Sequence, residues 1–202
     1  MVQLQFLQRS HRFNILRNVK YIYQVSSASI LSAINVNQTQ SIVISKNGYT
    51  SVYGGTYGNG RALAFYKAEI IDQFQANDQV NWDKNIYANM AKWLTNDACI
   101  NLSNCMIHID QYRSNLHKDN IVVLFQQDAI INSSDLSLNY KLESGSWGII
   151  FSGTYWNKID LNQKYLLNKY GICVSTEMDE IDSKVDLKWC RSLSKIPKIK
   201  CN

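Results

Sequence analysis

Apolar residues fall into short runs that alternate with helical faces from residue 61 onward. The continuous apolar run at 121–125 predicts a buried strand of the kind found in parallel sheets, and segments 61–66 and 147–151 predict further buried strands. Between Asp83 and Thr95 the apolar residues recur at the spacing of one helix face, and they are Ile86, Met90, Trp93 and Leu94. Strands and helices in alternation predict a parallel or mixed sheet with helices on both of its faces.

Shorter patterns predict the remaining elements. Segments 41–45 and 49–53 predict an N-terminal β-hairpin, because Lys46-Asn47-Gly48 between them contains the Asn-Gly pair that favours tight turns. The glycines from Gly54 to Gly60 predict a glycine-rich turn. Further strands are expected at 106–109 and 172–174, and further helices at 134–142 and from Asp160 to near Gly171.

Length and composition indicate one globular domain. The chain has 202 residues, of which 46% are hydrophobic and 18% charged, so neither disorder nor a fibrous repeat is expected. No apolar run approaches the roughly 20 residues that cross a bilayer, which predicts a soluble protein. We place the domain at residues 12–176 and a basic C-terminal tail at 177–202.

The N-terminal segment is basic, since Arg9, Arg12, Arg17 and Lys20 precede the first acid, Glu69. An Arg-rich, acid-free start is typical of mitochondrial transit peptides. The favoured interpretation is an amphipathic first helix with a basic outer face, whose apolar residues are Phe13, Leu16, Val19 and Ile22. The net charge of +5 comes without base-reading or stacking motifs, so no nucleic-acid partner is expected.

The five cysteines are odd in number and show no C-x-x-C spacing. This pattern argues against a disulfide framework and against a zinc cluster, and it favours a reducing compartment. We therefore expect a cytoplasmic protein, with the mitochondrion as the alternative. Three N-x-S/T sequons begin at Asn37, Asn101 and Asn132, which is about the number that chance gives in a chain so rich in asparagine, serine and threonine.

Three segments, in order, resemble one family. Tyr57-Gly58-Asn59-Gly60-Arg61 and the strand after it look like the Y-G-x-G-R segment of glutamine-amidotransferase-like domains. Residues 89–94, N-M-A-K-W-L, are similar to the N-A-V-x-W-L helix of the same family. Residues 145–156 and the Gly-Ile at 171–172 resemble the G-G-G-L-I-I-G-G-T-P-W-G-W … G-I segment of TRP-channel-associated factors and enhancin-like gluzincin peptidases.

The resemblance implies a fold and, at the same time, argues against catalysis. It implies a three-layer, flavodoxin-like α/β domain of the class I glutamine-amidotransferase-like type, with a mostly parallel sheet. Active members carry a cysteine at a strand-to-helix elbow and a downstream histidine that activates it. Here the elbow is Ser152-Gly153-Thr154, and all three histidines precede it. The family's Gly-His-Glu after the Y-G-x-G-R strand is also unmatched, because Tyr66-Lys67-Ala68 stands there.

Three other features have both a functional and a structural interpretation. His108, Asp110 and His117 could hold a metal, but ordinary polar contacts at a strand end are favoured, and no H-E-x-x-H occurs in the sequence. The glycine run could cradle a phosphate, but it precedes a strand rather than a helix. Arg61 could bind an anion, although a structural ion pair is the commoner arrangement. We therefore expect no cofactor and no metal.

Three functions remain open. The leading hypothesis is a non-catalytic module that binds another protein, as the resemblance to the channel-associated factors implies; that protein would be membrane-associated or part of a larger complex. Its contacts would come from Thr154, Tyr155 and Trp156, beside an elbow begun by Ser152 and Gly153 and a turn shaped by Tyr57, Gly58, Gly60 and Arg61. The alternatives are the N-terminal domain of an enhancin-like zinc peptidase acting on glycoproteins and a small structural subunit of an assembly.

Overall fold

A computed structural model describes the chain at residues 15, 31–35, 37–44, 50–65, 71, 84–126, 129, 132, 134–153, 159 and 161–174. Several predictions fall outside these residues. They concern the first helix apart from Ile15, the Lys46–Gly48 turn, Asp160 as a helix cap, both boundaries of the domain, and the tail at 177–202.

Six strands form one mixed sheet in the order β2-β3-β4-β7-β6-β5, and two more form a separate antiparallel pair, β1 with β8. Strands β4, β7, β6 and β5 run parallel to one another. Strand β3 pairs antiparallel with both β2 and β4. The strands are β1 Leu31–Ala33, β2 Thr39–Ile44, β3 Thr50–Tyr57, β4 Gly60–Phe65, β5 Met106–His108, β6 Ile121–Gln126, β7 Trp147–Ser152 and β8 Ile172–Val174.

Four α-helices lie within the described residues, and they are α1 Lys84–Leu94, α2 Leu102–Cys105, α3 Leu136–Glu143 and α4 Leu161–Lys169. Two short 3-10 turns, Ile109–Gln111 and Arg113–Asn115, follow β5. Helix α4 ends where the sequence predicts, because Gly171 adopts a positive φ of 75° and donates its N–H to the carbonyl of Asn168 at 2.9 Å. None of the helices in this part of the chain is long and apolar enough to cross a membrane.

The sheet separates two hydrophobic cores, which confirms the predicted three-layer α/β architecture. Alternate residues of each central strand point to opposite faces, so Leu63 and Ile150 pack with helices α1 and α2, while Ile149 packs with α3 and α4. The helix residues Ile86, Met90 and Leu94 are fully buried on the first face, as their spacing predicts.

Gly148 explains how closely helix α1 approaches the sheet. A Cβ atom at this position in β7 would lie 2.6 Å from the Cβ of Leu94 and 2.7 Å from its carbonyl oxygen. Only glycine therefore lets the last turn of α1 rest against the central strand.

The predicted glycine-rich turn is shorter than the sequence suggested. Gly54 and Gly55 lie inside β3, and only Gly58 and Asn59 connect β3 to β4. Gly55 is required for close packing rather than for a turn, because a Cβ there would overlap the carbonyl oxygen of Tyr170. The expectation that the whole segment 54–60 is a turn was wrong, since glycine serves close approach as readily as chain reversal.

Candidate functional site

The predicted elbow lies at the carboxyl end of the central parallel strand. Strand β7 ends at Ser152, which is 1% exposed, and Gly153 after it is also buried. The Ser152 hydroxyl oxygen is buried and has no hydrogen-bond partner among the described residues. Thr154, Tyr155 and Trp156, the predicted contact residues, lie outside the described residues. Ligands of open α/β sheets bind at this edge, so the position is the right one for a site.

No described histidine is placed to activate Ser152. His108 ends β5, which is two strands away from β7 across β6, a separation of about 10 Å. Its register partner Leu124 lies opposite Ile150, two residues before the elbow. His117 is exposed beyond the second 3-10 turn. A serine hydroxyl needs a base within hydrogen-bond distance, and this arrangement does not supply one.

The described residues contain no group of three His, Cys, Asp or Glu side chains that could hold a metal ion. His108, Asp110 and His117 therefore do not form a ligand set with one another. The backbone N–H of His108 instead donates to the Oε1 of Gln111 at 3.3 Å, within the turn that follows β5.

The Y-G-x-G-R segment lies at the amino ends of the parallel strands, whereas the elbow lies at their carboxyl ends. Arg61 pairs with Gly148 at the start of β7, whereas Phe65 pairs with Ser152 at its end. Four residues of a parallel strand separate the two positions, which corresponds to about 13 Å. The structure therefore does not bring Tyr57, Gly58, Gly60 and Arg61 together with Ser152 and Gly153.

The Gly58–Asn59 turn rests on the C-terminal end of helix α3. Asn59 donates its N–H to the carbonyl oxygen of Glu143 at 3.0 Å, which satisfies one of the free carbonyls of the helix end. Gly58 has a φ of 59°, and a Cβ there would lie 2.9 Å from the same oxygen. The turn therefore anchors the C-terminal end of the helix.

Arg61 caps the C-terminal end of helix α1. Its Nη1 donates to the carbonyl oxygen of Trp93 at 2.6 Å, and its guanidinium lies 5.6 Å from the centre of the Trp93 ring. Burial lowers the pKa of Arg61, and the nearby Asp97 carboxylate opposes that shift. A cation at a helix C-terminus is favourable, which gives Arg61 a structural role.

Lys169 on helix α4 contacts both helix α3 and Tyr57, the last residue of β3. Its Nζ donates to the Oδ1 of Asn139 at 3.1 Å and to the Oε1 of Glu143 at 3.0 Å. The ammonium also lies 5.5 Å from the ring centre of Tyr57 and 5.2 Å from that of Tyr165. Because Lys169 is on α4 and its two hydrogen-bond partners are on α3, the two helices are neighbours.

Four large apolar side chains on these two helices point outward, and we call them the α3–α4 face: Leu136, Tyr140, Leu161 and Tyr165. Each helix contributes a leucine and a tyrosine four residues apart, a spacing that places both on one side. The leucines are 84% and 80% exposed, and the tyrosines 72% and 53%. Each of the two helices therefore presents an exposed apolar pair to solvent.

A second polar network fixes the start of helix α3. Asp135 caps the helix by accepting hydrogen bonds from the N–H groups of Ser137 and Leu138 at 2.9 and 3.2 Å. Its Oδ2 accepts the phenolic hydrogen of the buried Tyr112 at 2.7 Å, and Arg113 donates its Nε to that phenol oxygen at 2.9 Å. The hydrogen bond from Tyr112 is the largest cause that lowers the pKa of Asp135.

Two cysteines that were expected to be free form a disulfide. Cys99 and Cys105 are bonded across a six-residue separation, with their Cα atoms 6.4 Å apart, and Cys173 is also disulfide-bonded. The inference from the odd count and the spacing was wrong, because one unpaired cysteine does not prevent the others from pairing. Helix α2 folds the chain back between Cys99 and Cys105 and brings both into the distance range of a disulfide.

Comparison with known proteins finds likeness in structure alone. No protein-family model matches the sequence, and no curated protein matches it. The described fold is similar to part of the IMPa metallopeptidase of Pseudomonas aeruginosa, with TM-scores of 0.59 in its complex with an O-glycopeptide and 0.57 in a second structure. The sequence identities are 11% and 15%, so this likeness shows a shared fold. The matches cover 80% and 79% of this chain but only 21% and 20% of the peptidase.

Proposed function

We propose that this chain is a non-catalytic module of an enhancin-like zinc metallopeptidase that acts on O-glycosylated proteins. The observation that carries the proposal is the fold likeness to IMPa, which extends over about four fifths of the chain. The resemblance of residues 145–156 and 171–172 to enhancin-like peptidases supports the same family from the sequence. The chain would pack beside a peptidase domain that carries the zinc-binding H-E-x-x-H.

The chemistry of the chain itself supports a non-catalytic role. Its sequence contains no H-E-x-x-H, and its described residues contain no group of metal ligands. Ser152 stands at the elbow without a described base. The chain would therefore position or stabilise the peptidase domain or contribute to binding, while catalysis takes place in the peptidase domain.

The α3–α4 face is the surface on which we place the peptidase domain. Its leucines and tyrosines expose apolar area that water disfavours, and aromatic residues are enriched at the centres of protein interfaces. Lys169, which contacts Tyr165 and the two polar residues of α3, holds the two helices in a fixed relation. A fixed apolar surface can be recognised without reordering the domain.

The first test is the mass and activity of the native protein, purified from its source cells. We expect Leu161-containing peptides to come from a polypeptide or complex well above the 23.2 kDa of this chain. That species should cleave an O-glycopeptide and lose the activity to a zinc chelator, whereas the 202-residue chain alone should cleave nothing. A native species of about the mass of this chain, with no associated peptidase, would contradict the proposal.

A second test examines the docking surface. Leu136→Ser and Leu161→Ser should weaken the association with the peptidase portion while leaving the melting temperature nearly unchanged, because both side chains are exposed. Ile100→Ser is the matched control, since Ile100 is 69% exposed but lies beside helix α2, which packs on the other face of the sheet. Equal effects of all three substitutions would exclude the α3–α4 face as the contact.

The second candidate function is a free-standing module that binds another protein, as in the channel-associated factors. The same exposed face favours it, and Thr154, Tyr155 and Trp156 would extend the contact from the elbow. Trp156→Ala should then weaken partner capture without loss of stability. Recovery of the native chain at its own mass with one binding partner would support this function, and recovery in a stoichiometric assembly would support a structural subunit.

A further inference from the structure

We propose that Asn101 carries an N-linked glycan, and hence that the protein matures in an oxidising secretory compartment. Two independent observations meet at this residue. It is the acceptor position of an Asn101-Leu102-Ser103 sequon, and it lies between the two cysteines of the Cys99–Cys105 disulfide. Disulfides form and persist mainly where secreted proteins fold, which is also where sequons meet the glycosylation machinery.

The geometry of Asn101 suits an acceptor. The residue is exposed, and its backbone is extended, with φ −139° and ψ 118°, immediately before helix α2. Its Oδ1 accepts hydrogen bonds from the N–H of Ser103 at 3.1 Å and from the Ser103 hydroxyl at 2.8 Å. Both polar groups of the sequon therefore lie together at the surface, and the side-chain nitrogen donates no hydrogen bond within the described residues.

The other two sequons serve as internal comparisons. In the Asn37 sequon the hydroxyl of Thr39 is buried and donates to the carbonyl oxygens of Tyr170 and Gly171, so this hydroxyl is inaccessible in the folded protein. In the Asn132 sequon the asparagine Oδ1 accepts the N–H of Ser134 at 3.0 Å, but no cysteine lies near it in the sequence. Only Asn101 combines an accessible hydroxyl with a flanking disulfide.

The covalent step is the ordinary one for this modification. The Nδ2 of Asn101 attacks the anomeric carbon of a lipid-pyrophosphate-linked oligosaccharide, forming a carbon–nitrogen bond while the bond from carbon to the pyrophosphate oxygen breaks. The lipid pyrophosphate leaves, and one Nδ2 proton passes to a base of the transferase. The glycan would cover Ile100, the exposed apolar side chain next to it.

The test uses the native protein from its source cells. Peptide-N-glycosidase treatment in heavy-oxygen water should increase electrophoretic mobility and place the isotope label on the peptide that contains Asn101. Cysteine alkylation before and after reduction should show Cys99 and Cys105 blocked until reduction. An unlabelled Asn101 peptide, or free thiols at both cysteines, would overturn the proposal.

Matched variants expressed in the same cells separate the sequon from the fold. Asn101→Gln and Ser103→Ala should each abolish the mobility shift assigned to Asn101, whereas Ser103→Thr keeps the sequon and should retain it. If glycan appears on Asn37 or Asn132 but never on Asn101, the assignment to this site is wrong. Survival of the shift in Ser103→Ala would overturn it equally.

Discussion

The hydroxyl of Thr39 lies 2.8 Å from the carbonyl oxygen of Gly171 and 3.0 Å from that of Tyr170. These contacts join β2 to the end of helix α4. Gly171 also accepts the N–H of Ile34 at 2.7 Å. A single buried hydroxyl therefore connects the first described strands to the last described helix, 132 residues away along the chain.

Removing this hydroxyl should destabilise the fold. Thr39→Val keeps the shape of the side chain but removes the hydroxyl that donates to the Tyr170 carbonyl oxygen, whereas the Gly171 carbonyl oxygen keeps the N–H of Ile34. The expected cost is about 1–3 kcal/mol in the free energy of unfolding. Urea denaturation measures it. Thr56→Val is the control, because the Thr56 hydroxyl is only half-buried and 3.4 Å from its acceptor. Equal denaturation midpoints for the two variants would refute the assigned role of Thr39.

Arg61→Met should lower the free energy of unfolding by about 1–2 kcal/mol, because the Trp93 carbonyl loses a charge-assisted hydrogen bond and the indole loses its cation. Thermal unfolding with and without phosphate tests the anion-binding alternative at the same time. We expect phosphate to shift the melting temperature of both proteins equally. A shift confined to the unsubstituted protein would establish Arg61 as an anion ligand instead.

Gly148→Ala should destabilise the protein by about 1–3 kcal/mol, since the added methyl group meets the backbone of Leu94, which cannot rotate away. Ile149→Val, at the adjacent position but on the other face of the sheet, tests whether any change in β7 has this effect; its expected cost is about 0.5–1.5 kcal/mol. Chemical denaturation measures the loss of unfolding free energy in each of the two variants. A smaller loss for Gly148→Ala would mean that α1 moves away from the sheet without strain.

Asp135 should make stability depend on pH in the acid range. Its pKa is lowered from the ordinary 3.8 mainly by the hydrogen bond from Tyr112, so the carboxylate is stabilised in the folded state. Its contribution is fully present above the pKa of the unfolded chain and is lost as the pH falls below 3.8 toward the lower folded pKa. Urea midpoints at neutral and acid pH measure the loss.

Asp135→Asn is the matched variant for that measurement, because an asparagine still caps helix α3 but does not titrate. We expect its stability to fall less between neutral and acid pH than that of the unsubstituted protein. Parallel pH profiles for the two proteins would show that other carboxyl groups account for the acid dependence.

The parts of the fold that could be predicted are those in which one residue type has one physical role. The apolar runs of β6 and β7 predicted buried strands, and the spacing of Ile86, Met90 and Leu94 predicted a helix face against a core. The end of helix α4 at Gly171 followed from the left-handed backbone that glycine tolerates. These elements needed no knowledge of distant contacts.

The candidate site was harder, because its residues depend on the pairing of strands. The sequence does not show that Arg61 aligns with Gly148 and Phe65 with Ser152. The Y-G-x-G-R segment and the elbow could therefore not be assigned to opposite ends of the parallel strands. Cys99 and Cys105 were misjudged for a similar reason, since only the turn of helix α2 brings them together.

The pairing of β1 with β8 also orders the events of synthesis. Leu31 aligns with Val174, about 140 residues later in the chain. At roughly 5–20 residues per second, the ribosome delivers the partner strand some 7–30 s after the first. Strand β1 therefore lacks its partner β8 while the strands of the central sheet are synthesised, and the β1–β8 pair can form only after that sheet has left the ribosome.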